Sequence, residues 1–255
     1  MKNRTKSMPV VDISLITFLL ISLTTLSHAV ADRFTTIDFP SPGVTDTEAT
    51  ALTPSSVIVG RYFTPDGLEH GFVLNEGRFS SLDVPGAHDT HASWINAHGD
   101  IVGTYHSIGP AHAYVLSRGE FTTIDFPSAT PVSTVGFGIN NAGDVVGVES
   151  IPNDFLHGHG YLFSHGEFTL VDVPGALGTF PIMISDGGRI VGAYVDKNLT
   201  YHGFQLREGK FTTIDFPGSS FTWITGITDG DIVGFYDSQD GKRPVWATMV
   251  TVSGV

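Results

Sequence analysis

Four histidines stand 13 residues ahead of four aspartates: His70 and Asp83, His112 and Asp125, His159 and Asp172, His202 and Asp215. An imidazole beside a carboxylate is one arm of a nucleophilic triad, because the carboxylate orients the ring and favours its charged form. An active site is normally single, however, and this pair occurs four times. Repetition favours a structural staple. Whether the partners meet depends on the turn between them, which ends at Gly77, Gly119, Gly166 or Gly209. A two-residue turn sets each histidine directly opposite its aspartate. A three-residue loop with glycine in the left-handed conformation shifts the register by one and separates them.

Function is better sought where copies differ. Five aligned threonines (Thr47, Thr90, Thr134, Thr179, Thr222) are followed by Glu48, His91, Val135, Phe180 and Trp223. A carboxylate, an imidazole and two aromatics suit a sugar, whose apolar face stacks on rings while its hydroxyls take polar partners. The plainer alternative is that these side chains fill space. Glu149 stands where other copies have Tyr62, Tyr105, Tyr194 and Tyr236, and Asp46, His88 and Asp89 lie in neighbouring loops. The ligand-binding candidates are therefore Glu48, Asp89, His91, Glu149, Phe180 and Trp223. Two of the carboxylates could hydrolyse a glycoside, and a carboxylate with a histidine could hold a cation. Neither shows a diagnostic spacing, so no catalytic residue, metal or cofactor is assigned. Asp237-Ser238-Gln239-Asp240-Gly241 has a faint calcium-loop look and reads as a surface turn; Asn198-Leu199-Thr200 is a glycosylation sequon in a loop.

These residues need a scaffold that presents one position five times. The segment Arg33-Phe34-Thr35-Thr36-Ile37-Asp38-Phe39-Pro40 recurs from Arg78, Glu120, Glu167 and Lys210, at spacings of 45, 42, 47 and 43 residues. That period fits a four-stranded propeller blade. Each period holds four strand-like pieces, here a to d. Strand a ends at Leu52-Thr53, Ile95-Asn96, Ile139-Asn140, Ile184-Ser185 and Ile227-Thr228. Strand b carries Val59-Gly60, Val102-Gly103, Val146-Gly147, Val191-Gly192 and Val233-Gly234, the glycine permitting close backbone approach. Strand c carries the histidine, or Pro244-Val245-Trp246 in the fifth copy, and strand d is the recurring segment. Both faces of d are apolar, as a blade between two neighbours requires. The chain starts on a d piece and ends on a c piece. The expected fold is an all-β, five-bladed propeller with four strands per blade, its ring closed by the N-terminal strand.

His70-Gly71-Phe72, His112-Ala113-Tyr114, His159-Gly160-Tyr161 and His202-Gly203-Phe204, with the Val-Gly and Ile-Asn pieces before them, resemble the bacterial extracellular repeats named for a His-Ala-Phe motif. The resemblance spans nearly all of residues 33–249. Glycine replaces the middle alanine in three copies, and the fifth copy lacks the histidine. The resemblance implies export and a repeat fold; it supplies no activity and no catalytic residues.

Composition sets the compartment. Lys2, Arg4 and Lys6 precede an apolar run from Ile13 to Leu26, and Ala29-Val30-Ala31 offers small residues at cleavage spacing. Residues 1–31 read as a signal peptide and 32–255 as one domain. Cleavage leaves ten cations against 25 anions, a formal charge of −15 that repels phosphate backbones and argues against nucleic-acid binding. There is no cysteine, hence no disulfide and no thiolate site. The expected protein is secreted or periplasmic, monomeric and, once processed, free of the membrane. It is read as a binding or interaction module for an extracellular carbohydrate or protein. A glycoside hydrolase on the same fold, or a purely structural repeat protein, are the alternatives.

Overall fold

The computed structural model describes residues 35–228 and 231–237, together with the backbone of a strand at 245–250. Four antiparallel meanders of four strands follow one another along the chain, then a fifth sheet of three. The first blade is β1 (Asp46–Leu52), β2 (Ile58–Phe63), β3 (Glu69–Asn75) and β4 (Arg78–Leu82). The second is β5 (Asp89–Ile95), β6 (Ile101–His106), β7 (Ala111–Ser117) and β8 (Glu120–Ile124). The third is β9 (Ser133–Ile139), β10 (Val145–Ser150), β11 (His159–Ser164) and β12 (Glu167–Leu170). The fourth is β13 (Gly178–Ile184), β14 (Ile190–Val195), β15 (Tyr201–Arg207) and β16 (Lys210–Ile214). The fifth is β17 (Thr222–Ile227), β18 (Ile232–Tyr236) and β19 (Val245–Val250).

The c–d turns are two residues long. Glu76-Gly77, Arg118-Gly119, His165-Gly166 and Glu208-Gly209 all have positive φ at both positions, the hairpin turn whose twist matches the strands it joins. This fixes the register: Gly71 pairs with Leu82, Ala113 with Ile124, Tyr161 with Leu170 and Gly203 with Ile214. Of the two turns the sequence allowed, the shorter is formed.

Each a strand carries a bulge, at Thr50, Ser93, Phe137, Ile182 and Thr225. The bulge drives the a-strand backbone against strand b, and there the glycine of the Val-Gly piece is obligatory. A Cβ on Gly60, Gly103, Gly147 or Gly192 would lie 2.0 Å from the carbonyl oxygen of Glu48, His91, Val135 or Phe180. On Gly234 it would lie 2.3 Å from that of Trp223.

Hydrophobic clusters join neighbouring sheets. The aromatic residue two places after the c-strand histidine (Phe72, Tyr114, Tyr161, Phe204) is fully buried and supplies the largest side chain of each blade's core. The five a strands stand side by side in blade order, and their C-terminal ends surround a depression of about 380 Å³. Trp94 closes it, packing against clusters contributed by the first, second, third, fourth and fifth blades. Its counterparts are Ala51, Gly138, Met183 and Gly226, so one large ring takes space that three small residues leave. An amide belt ties the second, third and fourth blades at this end. Asn96 Nδ2 donates to the Asn140 carbonyl, and Asn141 donates through its backbone N–H and Nδ2 to Asp186. The Ile-Asn pieces are these clasps.

The N-terminal d segment differs from its expected form. Its described residues, Thr35–Pro40, form no strand. Phe39 nevertheless packs on the first blade as later d segments pack on theirs, with its N–H donating to Thr47 Oγ1 at 3.1 Å. Residues 1–31, read above as a signal peptide, and residues 238–241 of the calcium-like motif lie outside the described residues.

Candidate functional site

The five aligned threonines do one thing. Each hydroxyl accepts the backbone N–H of the residue ending the preceding d segment: Phe39 to Thr47, Val84 to Thr90, Phe126 to Thr134, Val173 to Thr179 and Phe216 to Thr222, at 3.0–3.2 Å. Four of these threonines are buried. They clasp blade to blade and leave no hydroxyl ring for a ligand.

The residues after them form two separate groups. On the first two blades the group is charged. Arg61 donates to Glu48 through Nε and Nη2 (2.8 and 2.6 Å) and to Glu69 through Nη1 (3.2 Å). His91 Nδ1 lies 3.7 Å from Glu69, and Asp89 Oδ1 accepts the Glu69 N–H at 3.0 Å. His91 Nε2 is shut off from solvent without a hydrogen-bond partner, although the ring as a whole is 32% exposed. Burial, then the Arg61 charge, lowers its pKa to about 4, with Glu48 opposing, so the ring is neutral at pH 7. Burial opposes the Arg61 charge, and its two carboxylates outweigh that by holding the guanidinium charged.

On the third to fifth blades the group is aromatic. Phe155 stacks on Phe180 at 5.3 Å, Phe180 on Trp223 at 5.7 Å, and Trp223 on Phe221 at 6.2 Å and Phe235 at 6.5 Å. Their interplanar angles lie between 9° and 27°, giving a ladder of near-parallel rings. Tyr201 meets Trp223 at 43°. Phe180 is 2% exposed, so it supports the ladder from within rather than offering a face. Trp223 is half-buried and Phe155 is exposed. Phe155 sits on a short 3-10 turn (Phe155–His157) in the long β10–β11 loop, which sequence reasoning missed because no other copy has it.

Glu149 stands apart from both groups, paired in register with His159. Burial raises its pKa and Asp172 adds to the effect, while His159 counters it. Where the other blades place a tyrosine stacked on the c-strand histidine (Tyr62, Tyr105 and Tyr194, 5.0–5.2 Å), this blade has a carboxylate. Leu170 has replaced the hydroxyl residue (Ser81, Thr123, Thr213) that bonds those tyrosine hydroxyls.

The His–Asp pairs all form: 2.9 Å for His70–Asp83 and 2.8 Å for His112–Asp125, His159–Asp172 and His202–Asp215. Among the described residues no serine or threonine is hydrogen-bonded to any of these imidazoles. Among the described residues no group of three or more His, Asp or Glu has metal-holding geometry.

Radial meanders packed face to face, with inner strands side by side around one axis, decide the architecture. The fold is a β-propeller. Among solved structures, this propeller is similar to a putative TolB from Agrobacterium tumefaciens (TM-score 0.57, 13% identity, 76% of this chain and 71% of that one). It is also similar to a protein of unknown function from Dyadobacter fermentans (0.52, 11%, 84% and 78%) and to TolB from Acinetobacter baumannii (0.51, 13%, 82% and 55%). At these identities the likeness is one of fold. No protein-family model and no curated protein matches the sequence. No helix among the described residues is long and apolar enough to cross a membrane.

Proposed function

We propose that the protein is an exported binding module that takes a carbohydrate on the Trp223 ladder, at the end of the propeller where the a strands begin. The observation that carries this reading is the run of near-parallel rings from Phe155 through Phe180 and Trp223 to Phe221. A half-buried tryptophan backed by rings is a rigid apolar face, and such sites bind by pre-organised shape with few polar groups. Export rests on the basic and apolar N-terminus and on the likeness to His-Ala-Phe repeats. Ring closure by the N-terminal segment belongs to the same proposal: among the described residues the fifth sheet has three strands, and Phe39 already makes the Thr47 clasp of a d segment.

A glycan-array screen of residues 32–255 tests the reading, with Trp223→Ala and Glu48→Ala variants beside the parent. Binding lost in Trp223→Ala supports the ladder. Binding indifferent to Trp223 removes the ladder as the site, and no binding across the array removes the carbohydrate reading and favours a protein partner. The hydrolase alternative gains no support from the charged group, because Glu48 and Asp89 are already bonded to Arg61 and to the Glu69 N–H.

A further inference from the structure

The residue before the proline of each d segment alternates between a ring and a short side chain: Phe39, Val84, Phe126, Val173, Phe216. In the first blade Phe39 lies flat on Tyr62, with centroids 3.8 Å apart and planes 7° apart, and meets Phe79 edge-on at 5.4 Å. In the fifth blade Phe216 lies on Tyr236 in the same way, at 3.5 Å and 8°. In the second blade the tyrosine is present and the ring is not. Val84 faces Tyr105 across a notch of about 670 Å³. Its walls include Tyr105 and Phe121, the counterparts of Tyr62 and Phe79, and its rim carries Ser107, Glu120 and Thr123.

The backbone does not create this difference. Val84-Pro85-Gly86-Ala87 and Phe216-Pro217-Gly218-Ser219 form the same turn, closed by N–H to carbonyl bonds of 3.0 and 3.1 Å with Gly86 and Gly218 at φ +83° and +81°. Ahead of the proline, phenylalanine is exchanged for valine. The far face of Tyr105 is taken by His112, stacked at 5.1 Å, and its hydroxyl is held by Thr123 at 3.0 Å. The near face is therefore fixed in place, and no ring among the described residues stacks on it.

We propose that the Tyr105 notch is a second binding site, built to receive a single pyranose ring where the first and fifth blades place their own phenylalanine. A pyranose has an apolar face that stacks on a tyrosine, and hydroxyls at its edge that meet the Ser107 hydroxyl and the Glu120 carboxylate. That polar rim favours a sugar over a plain aromatic ring. Val173, Tyr194, Phe211 and Thr213 repeat the set in the fourth blade, with Lys210 in place of Glu120. The notch shares its ligand class with the function proposed above, and none of its residues.

The test is saturation-transfer NMR of the whole processed chain with methyl pyranosides, comparing the parent with Val84→Phe, Tyr105→Ala and Trp223→Ala. Val84→Phe copies a packing that the chain already uses twice, so its melting temperature should match or exceed the parent's. At least a tenfold loss of pyranoside affinity is expected in Val84→Phe and in Tyr105→Ala, with the notch's share of binding retained in Trp223→Ala. Affinity unchanged in a folded Val84→Phe overturns the notch and leaves the Trp223 reading standing. Loss in Val84→Phe with none in Trp223→Ala does the reverse. Binding of p-cresol, an aromatic ring without sugar hydroxyls, in preference to every pyranoside overturns the assignment of ligand class.

Discussion

Thr47, Thr90, Thr134, Thr179 and Thr222 each receive the same backbone N–H, while their immediate successors divide between two surroundings, charged for Glu48 and His91 and apolar for Val135, Phe180 and Trp223. One position on the inner strand is fixed by the need to join blades, and the next is left to vary. The threonine, the bulge and the strand-b glycine belong to the joining layer. The charged group of Glu48, Arg61, Glu69 and His91 and the ring ladder of Phe155, Phe180 and Trp223 belong to the free layer. Replacing a residue of the joining layer should cost about the same in any blade, whereas replacing one of the free layer should depend on which blade carries it.

The largest effect is expected at the glycine. Gly103→Ala would place a Cβ 2.0 Å from the His91 carbonyl oxygen and 2.7 Å from the buried Tyr114 ring. Neither neighbour has a free end to swing aside. A loss of more than about 3 kcal/mol is expected in denaturant titration, and the same from Gly147→Ala. A Gly103→Ala protein as stable as the parent would show that the bulge does not press on strand b, and the joining layer would lose its central element.

Thr134→Ala comes next. Thr134 is 1% exposed, and removing its hydroxyl strands the Phe126 N–H that it accepts at 3.0 Å. An unpaired buried donor costs about 1–3 kcal/mol, and Thr134→Ser should recover most of it. Equal losses from Thr90→Ala and Thr179→Ala would mark one shared clasp. Unequal losses would mean that the threonines, like their successors, answer to local needs.

The threonine and the glycine of the joining layer were legible in the sequence because they repeat, whereas the bulge was not. Five copies in register disclose strand order, the close-approach glycine and the His–Asp spacing without any homologue. What escaped were departures from the repeat. Trp94 occupies the axis because Gly138 and Gly226 stand at its position in other blades, and its role appears only when all copies are folded around one centre. The candidates Glu48, His91, Phe180 and Trp223 share a height on neighbouring strands, yet the structure sorts them into a charged and an aromatic group. Side-chain contacts across blade seams made that division: His91 leans toward Glu69 of the preceding blade, and Phe180 onto Phe155. Strand spacing alone carries no information about such seams. The described residues of the N-terminal d segment, 35–40, form no strand, against what the pattern led one to expect, yet keep the clasp to Thr47.

Within the free layer, His91 offers a pH test. Its folded pKa of about 4 lies below the ordinary histidine value of 6.5, owing to burial and then to Arg61. Above pH 6.5 the ring is neutral in both states. As pH falls from about 6.5 toward 4, the unfolded chain takes up a proton that the folded chain refuses, so stability declines across that window. The partial exposure of the ring limits the decline to about 1–2 kcal/mol. Val135 shows that an apolar residue is accepted at this position, so His91→Val should flatten this part of the stability–pH curve. An unchanged slope in the variant would mean that His91 gains a proton freely in the fold and that its Nε2 is less enclosed than its surroundings indicate.

The smallest effect belongs to the His–Asp pairs, which combine the two layers. His112 and Asp125 are 2.8 Å apart with side chains 27% and 50% exposed, and a hydrogen-bonded pair so open to water contributes no more than about 0.2–1 kcal/mol in a double-mutant cycle. Three of the four histidines lie against a tyrosine: His70, His112 and His202 stack at 5.0–5.2 Å. His159 has Glu149 opposite it instead, and its side chain is 55% exposed. The His159→Ala and Asp172→Ala cycle should therefore give a smaller coupling than the His112 and Asp125 cycle at neutral pH. Glu149→Tyr should bring the two closer by supplying the missing ring beside His159. If the third blade already couples as strongly as the second, the tyrosine does not hold the imidazole in place, and the pair is sustained by strand register alone.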